Sequence, residues 1–276
     1  MSSINLLPDR HRFARLYYGL VLIYIAHRYF NHMLLSQLQQ PQLMYPGTDL
    51  TYIFFSWSGV TQFVTGKYWA ALGLDILLAV SALTSFIFTR QKISSWVFTT
   101  TLFVYIVAGY SVLCFHKHNL TGLWFASLMF LATGETAFSL LFEMVRMYAV
   151  FTYASAGFWK FFRGVWNYPG HFPLIVKNDA LAYLAQHPDT LLAKILSWLI
   201  IHPALLDNMM VLSSFIQISF VIGFFTKRLD KYFLLYALTF HLLSLLLLRA
   251  YFFEFSAILI TLLPVAYFYK PAKTEP

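Results

Sequence analysis

Tyr153-Ala154-Ser155-Ala156-Gly157-Phe158-Trp159-Lys160-Phe161-Phe162 is an apolar, helix-like segment with small residues on one side and a single lysine near its end. An ammonium group among apolar neighbours must extend its tip to water, find a partner or give up its proton. The third outcome makes it a base. On a helix, Ala156 and Gly157 fall one turn before Lys160, and Arg163 and Gly164 one turn after. No carboxylate lies within that reach. Small residues on this side let a second helix or a flat ligand approach closely. A lysine that snorkels from the end of a span fits the same residues equally well.

Other ionisable groups fall inside apolar stretches: Arg28, Asp75, Glu135, His241, Arg249 and Glu254. Each is a candidate for function, because apolar surroundings penalise charge, and each has a structural alternative in a pair or a hydrogen bond. Arg28 has His27 and His32 nearby, and Glu135 is placed deep in a span where it pairs with Arg28 or with a proton donor. Asp75 sits near the start of a span, within reach of the interface. Arg249 and Glu254 flank a tight turn and suit each other. His241 lies well inside an apolar run, as a hydrogen-bonded core residue or a functional one. Inside the spans no histidine has a second ligand at helical spacing, so no metal site is expected. The one cysteine, Cys114, excludes an internal disulfide.

The elements that must hold these groups follow from composition. The chain has 276 residues, 59% hydrophobic and 20% aromatic, with only 11% charged. Soluble domains carry roughly a quarter charged residues, so most of this chain cannot be solvated surface. The expected fold is all-α, a polytopic transmembrane helix bundle forming a single domain over residues 1–276. About eight spans fit (seven to nine), near 16–35, 69–89, 95–115, 122–142, 145–162, 207–225, 232–249 and 252–269. Leu50–Val64 and Leu191–Ile201 are apolar but short, suited to re-entrant or interfacial helices. The basic start leads straight into a stretch long enough to span, and no cleavable signal peptide is expected.

Basic residues set the orientation. With the N-terminus inside, the inner loops hold Arg10, Arg12, Arg15, Arg90, Lys92, Arg146, Lys227, Arg228, Lys231, Lys270 and Lys273. The outer side holds only Lys67, Lys117, Arg163, Lys177, Lys194 and Arg249. Both termini are therefore expected in the cytoplasm, with the protein in a bacterial inner membrane. The net charge of +8 is spread over these short loops rather than gathered in one patch, which argues against nucleic-acid binding. Residues 163–206 form the longest connection, expected as an outer interfacial cap on aromatic and proline-rich grounds, with no room for a soluble domain.

Arg146-Met-Tyr-Ala-Val-Phe-Thr-Tyr-Ala-Ser-Ala-Gly-Phe-Trp-Lys160, followed by Trp166 and by Tyr183-Leu184, resembles a segment of vitamin K-dependent gamma-carboxylase and its bacterial relatives. Those relatives are the horizontally transferred transmembrane (HTTM) domain proteins. Phe240-His241 with Phe252-Phe253-Glu254-Phe255-Ser256 resembles a second family region, and His116-Lys-His118-Asn119-Leu120-Thr-Gly122-Leu123 a third. The resemblance implies Lys160 as the base that deprotonates a reduced, vitamin K-like quinone, with His118 and His241 as further catalytic residues. It implies Gly157, Trp159, Trp166, Arg146 and His116 around the substrate. The chain departs from the family pattern in having Trp159 before Lys160 rather than a second lysine. Phe161, Phe162, Arg163 and Gly164 stand where acidic residues are usual.

Three function classes follow. One is an enzyme performing carboxylase-like, base-initiated chemistry on a quinone or lipid in the bilayer. The second is a non-catalytic membrane module that binds a partner protein or lipid. Transport, the third, is disfavoured because no inverted repeat is visible.

Overall fold

The computed structural model describes residues 6–38, 57–112, 120–248, 250, 252, 255–264 and 266–271. Cys114, His116, His118, Arg249, Glu254 and Lys273 lie outside these. Among the described residues the protein is helical apart from one two-stranded ribbon. Among these described residues four helices are long and apolar enough to cross a membrane: Tyr68–Ile87, Lys92–Gly109, Pro203–Phe224 and Asp230–Leu248. The chain divides into two compact units, Met1–Glu143 with Val265–Pro276, and Met144–Pro264.

In the first unit, strand β1 (Leu6–Pro8) precedes helix α1 (Arg10–Phe30). Asp9 caps α1 by accepting from the backbone amides of His11 and Arg12, satisfying donors that a helix start leaves orphaned. Helices α2 (Val60–Gly66), α3 (Tyr68–Ile87), α4 (Lys92–Val112) and α5 (Thr121–Leu128) follow, and α5 runs on into a 3-10 turn at Met129–Leu131. Strand β2 (Tyr269–Pro271) pairs antiparallel with β1. The core is aromatic, built from Phe13, Tyr17, Tyr18, Phe98, Phe130 and Phe138.

The buried charged side chains Arg28, Asp75 and Arg10 of this unit are met mainly by backbone groups. Arg28 donates to the Met33 carbonyl at 2.6 and 3.1 Å and to the Tyr24 hydroxyl at 2.6 Å. Asp75 accepts from the amides of Leu35 at 3.2 Å and Ser36 at 2.9 Å, closing the turn that ends α1. Asp75 is buried rather than reaching an interface. Arg10, also buried, donates to the carbonyls of Phe130 and Ala132.

Helix α6 (Glu135–Phe162) is continuous over 28 residues, about 42 Å at 1.5 Å per residue. The expected break between spans at 142–145 is absent. The break comes instead at Ala132-Thr133-Gly134, so Glu135 is the exposed first residue of a helix rather than a group deep inside one. An acidic side chain at that end complements the helix dipole.

In the second unit, Gly164 (φ 64°) and Gly170 (φ 86°) take left-handed conformations on either side of a 3-10 turn at Val165–Asn167, a backbone shape that glycine adopts at least cost. The connection expected at 163–206 is built as two helices, α7 (His171–Gln186) and α8 (Leu191–Ile200). Their cores, Val176, Ala180, Leu196 and Leu199, pack with Leu206 and Leu247. At ten residues α8 is about 15 Å long, half a hydrocarbon core. Helix α9 (Pro203–Ser219) starts with proline at its first turn and continues as a 3-10 segment to Phe224. Helix α10 (Asp230–Leu248) follows. The stretch expected as a last span is a 3-10 segment, Phe255–Leu262, ending before Pro264.

Candidate functional site

The site lies where the C-terminal half of α6 meets α9 and α10. At Gly157 the helices touch through backbone: a Cβ there would stand 2.6 Å from the Ile218 nitrogen and 2.8 Å from the Ser214 oxygen. This close approach, allowed by a small residue, carries Lys160 to Gln217. Lys160 Nζ donates to Gln217 Oε1 at 2.8 Å. The amine also stands 5.3 Å from the centre of the Phe240 ring on α10, within cation–π range. Gln217 is buried, at 1% exposure, while Lys160 is half-buried.

Lys160 forms part of the wall of a cavity of about 250 Å³, whose other walls include Phe172, Met209, Met210, Phe240, Leu247 and Phe252. Ser213 and Ser244 are the remaining polar residues of the lining. Ser213 Oγ pairs with the Tyr236 hydroxyl at 2.7 Å, and Ser244 is buried. Among lining side chains, Lys160 is therefore the one that can carry charge. Pockets for drug-sized ligands run to roughly 300–1,000 Å³, so this one suits a single ring or a short lipid segment.

A second polar pair stands one layer behind. Tyr153 Oη and His241 Nε2 share a hydrogen bond of 2.5 Å, and Tyr153 stacks on Phe220 with centroids 4.8 Å apart. His241 is 5% exposed and touches the rings of Phe240 and Phe252, which do line the cavity. It buttresses the wall without forming it.

The remaining candidates are placed elsewhere. Arg146, 1% exposed, holds Asp230 with two contacts, Nε to Oδ2 at 2.8 Å and Nη2 to Oδ1 at 2.7 Å. Its Nη2 also donates to the carbonyls of Gly223 and Thr226. Arg146 thus ties α6 to the start of α10. Trp159 is 58% exposed, with the Arg163 guanidinium 4.6 Å from its ring. Trp166 packs on Phe161, centroids 4.3 Å apart. Neither tryptophan lines the cavity. Gly157 makes the helix contact and does not line the cavity, and His116 and His118 fall outside the described residues.

Gln217 is the site residue that a search for charged groups passes over. Its signal is an amide in an otherwise apolar helix, on the same face as Met210, Ser213 and Ser214 at spacings of three, four and seven. Among the described residues no group of three His, Cys, Asp or Glu side chains is placed to hold a metal ion. No family model, curated protein or solved structure matches the chain.

Proposed function

We propose that this chain is a multi-pass membrane protein of about eight spans, with both termini cytoplasmic, that admits the ring of a reduced quinone or a similar lipid beside Lys160 and uses that amine as a base. One observation carries the reading. A lysine in the wall of an apolar cavity is bonded to a neutral amide, Gln217, rather than to a carboxylate. With no anion against it, the amine can exist uncharged, offering an N–H to Gln217 and its lone pair to the cavity. In the proposed step the lone pair takes the proton of a ring hydroxyl: the O–H bond breaks, the N–H bond forms, and a quinolate remains beside an ammonium. Positioned proton transfer of this kind is worth roughly 10²–10⁴ in rate. The likeness of the Arg146–Lys160 segment to the HTTM and vitamin K-dependent carboxylase proteins supports quinone as the substrate class and a bacterial inner membrane as the location.

A second reading is favoured by the same contacts. With Gln217 at 2.8 Å and Phe240 at 5.3 Å, the amine also serves as a polar lock joining α6, α9 and α10 in a non-catalytic module that binds lipid or a partner protein.

The test incubates purified protein in lipid with reduced quinone, oxygen and labelled carbon dioxide, comparing native protein with Lys160→Ala and Lys160→Met. The base reading expects quinone turnover that both variants abolish while staying folded. Turnover that survives both substitutions rejects it. A folded native protein that turns over nothing, and whose variants melt early, leaves the lock.

A further inference from the structure

We propose that the groove between α3 and α4, in the first unit, binds one anionic glycerophospholipid, its phosphate at the α3–α4 turn and an acyl chain along the helix pair. The groove encloses about 410 Å³, and both helices that form it are candidate spans. The inference rests on the membrane reading and is independent of the chemistry proposed at Lys160.

Polarity changes along the groove as it does along a lipid. At the turn stand Gln91 and Lys92, while Leu77, Val80, Ile93 and Val97 supply the apolar walls. Leu77 lies ten residues before the end of α3, roughly 15 Å deep, which matches one leaflet of a hydrocarbon core about 30 Å thick. The apolar wall residues are 37% to 79% exposed, so this surface has no complete cover among the described residues.

Charge selects the headgroup. Between Asp75 and Glu135 the chain has no carboxylate, whereas Arg90 and Lys92 both sit at this turn. Asp75 is buried and occupied by the Leu35 and Ser36 amides, and the charge of Glu135 acts on Arg10. Lys92 Nζ gives one N–H to the Thr133 carbonyl at 3.1 Å, which fixes its position and leaves two N–H groups for a phosphate. The hydroxyls of Ser81 and Thr84 donate to carbonyls of α3 and that of Ser94 to the Gln91 carbonyl, so the cation is the headgroup contact. A phosphate diester answers that arrangement, and a choline headgroup adds a positive charge where two already stand.

The full-length chain is reconstituted in phosphatidylcholine vesicles carrying phosphatidylglycerol as a minor component, then stripped into detergent. Lipid retained per chain is counted by native mass spectrometry. The expected result is one phosphatidylglycerol per chain, retained in preference to phosphatidylcholine. Lys92→Gln is expected to lower that preference about fivefold, the effect of one basic residue at an anionic surface. Val80→Trp, which keeps every cation and fills the groove, is expected to abolish retention with the helical circular-dichroism spectrum unchanged. Equal retention of both lipids, variants indistinguishable from native, or a second copy of the chain in place of lipid overturns the proposal. Release of the chain from vesicles by alkaline carbonate overturns the membrane reading beneath it.

Discussion

The Lys160 amine donates to the side-chain oxygen of Gln217 at 2.8 Å, across a helix contact made through backbone at Gly157. A cation or amine in the wall of an apolar cavity is thus met by a group without charge. Whether that lysine acts as a base depends on this neutrality.

Gln217→Glu makes the point directly. A carboxylate at the same distance forms an ion pair that holds the amine as ammonium. Quinone turnover is expected to fall at least about 100-fold, the lower end of what a general base supplies. The thermal midpoint is expected to stay at or above native. Unchanged turnover in a folded Gln217→Glu protein removes Lys160 from the reaction.

Gly157→Ala tests the helix contact. The added Cβ meets backbone at 2.6 and 2.8 Å, and backbone cannot swing away as a side-chain tip can. Overpacking of this sort costs about 1–3 kcal/mol. Thermal unfolding in detergent should show that loss, together with lower turnover as Lys160 is pushed from Gln217. A native melting curve shows instead that α6 and α9 separate freely.

Arg146→Met removes the cation from a buried pair and leaves Asp230 with no guanidinium. Breaking one side of such a pair costs about 3–5 kcal/mol. Arg146→Met with Asp230→Leu is expected to recover part of that loss, because neither charge is then stranded. A double-mutant cycle in denaturant measures the coupling; strict additivity argues against a buried pair.

Asp75→Asn addresses the first unit. The amide keeps one acceptor where the carboxylate holds two backbone N–H groups, of Leu35 and Ser36. Losing one such bond costs about 1–3 kcal/mol. Hydrogen exchange at Leu35 and Ser36 is expected to quicken locally. Unaltered protection at both amides shows that the turn at the end of α1 needs no carboxylate.

Helical character, and the presence of helices long and apolar enough to cross a membrane, were legible from composition, since few charges in 276 residues leave little to make a solvated surface. The candidate spans α3, α4, α9 and α10 follow the expected stretches closely because polar residues in their apolar runs are few. The course of 122–162 was not legible. Hydropathy dips at Glu143 and Arg146 and suggests a loop, but Arg146 is neutralised by Asp230, 84 positions away. A one-dimensional profile cannot see that partner. Asp75 and Arg28 show the same effect, each answered by backbone groups. Lys160 stood out because a lysine among aromatic residues is conspicuous. Gln217 was missed because an uncharged amide perturbs the profile little.

The ribbon of β1 and β2 has a consequence for biosynthesis. The first unit is interrupted: Arg12 reaches the Tyr267 carbonyl across 255 positions, and residues 144–264 are spelled out between its two parts. At cellular translation speeds that insert takes on the order of ten seconds to emerge. During that interval the early helices wait without their closing strand, while the later ones assemble among themselves. Emergence of β2, rather than of the first helices, is therefore when this protein's earlier half becomes complete.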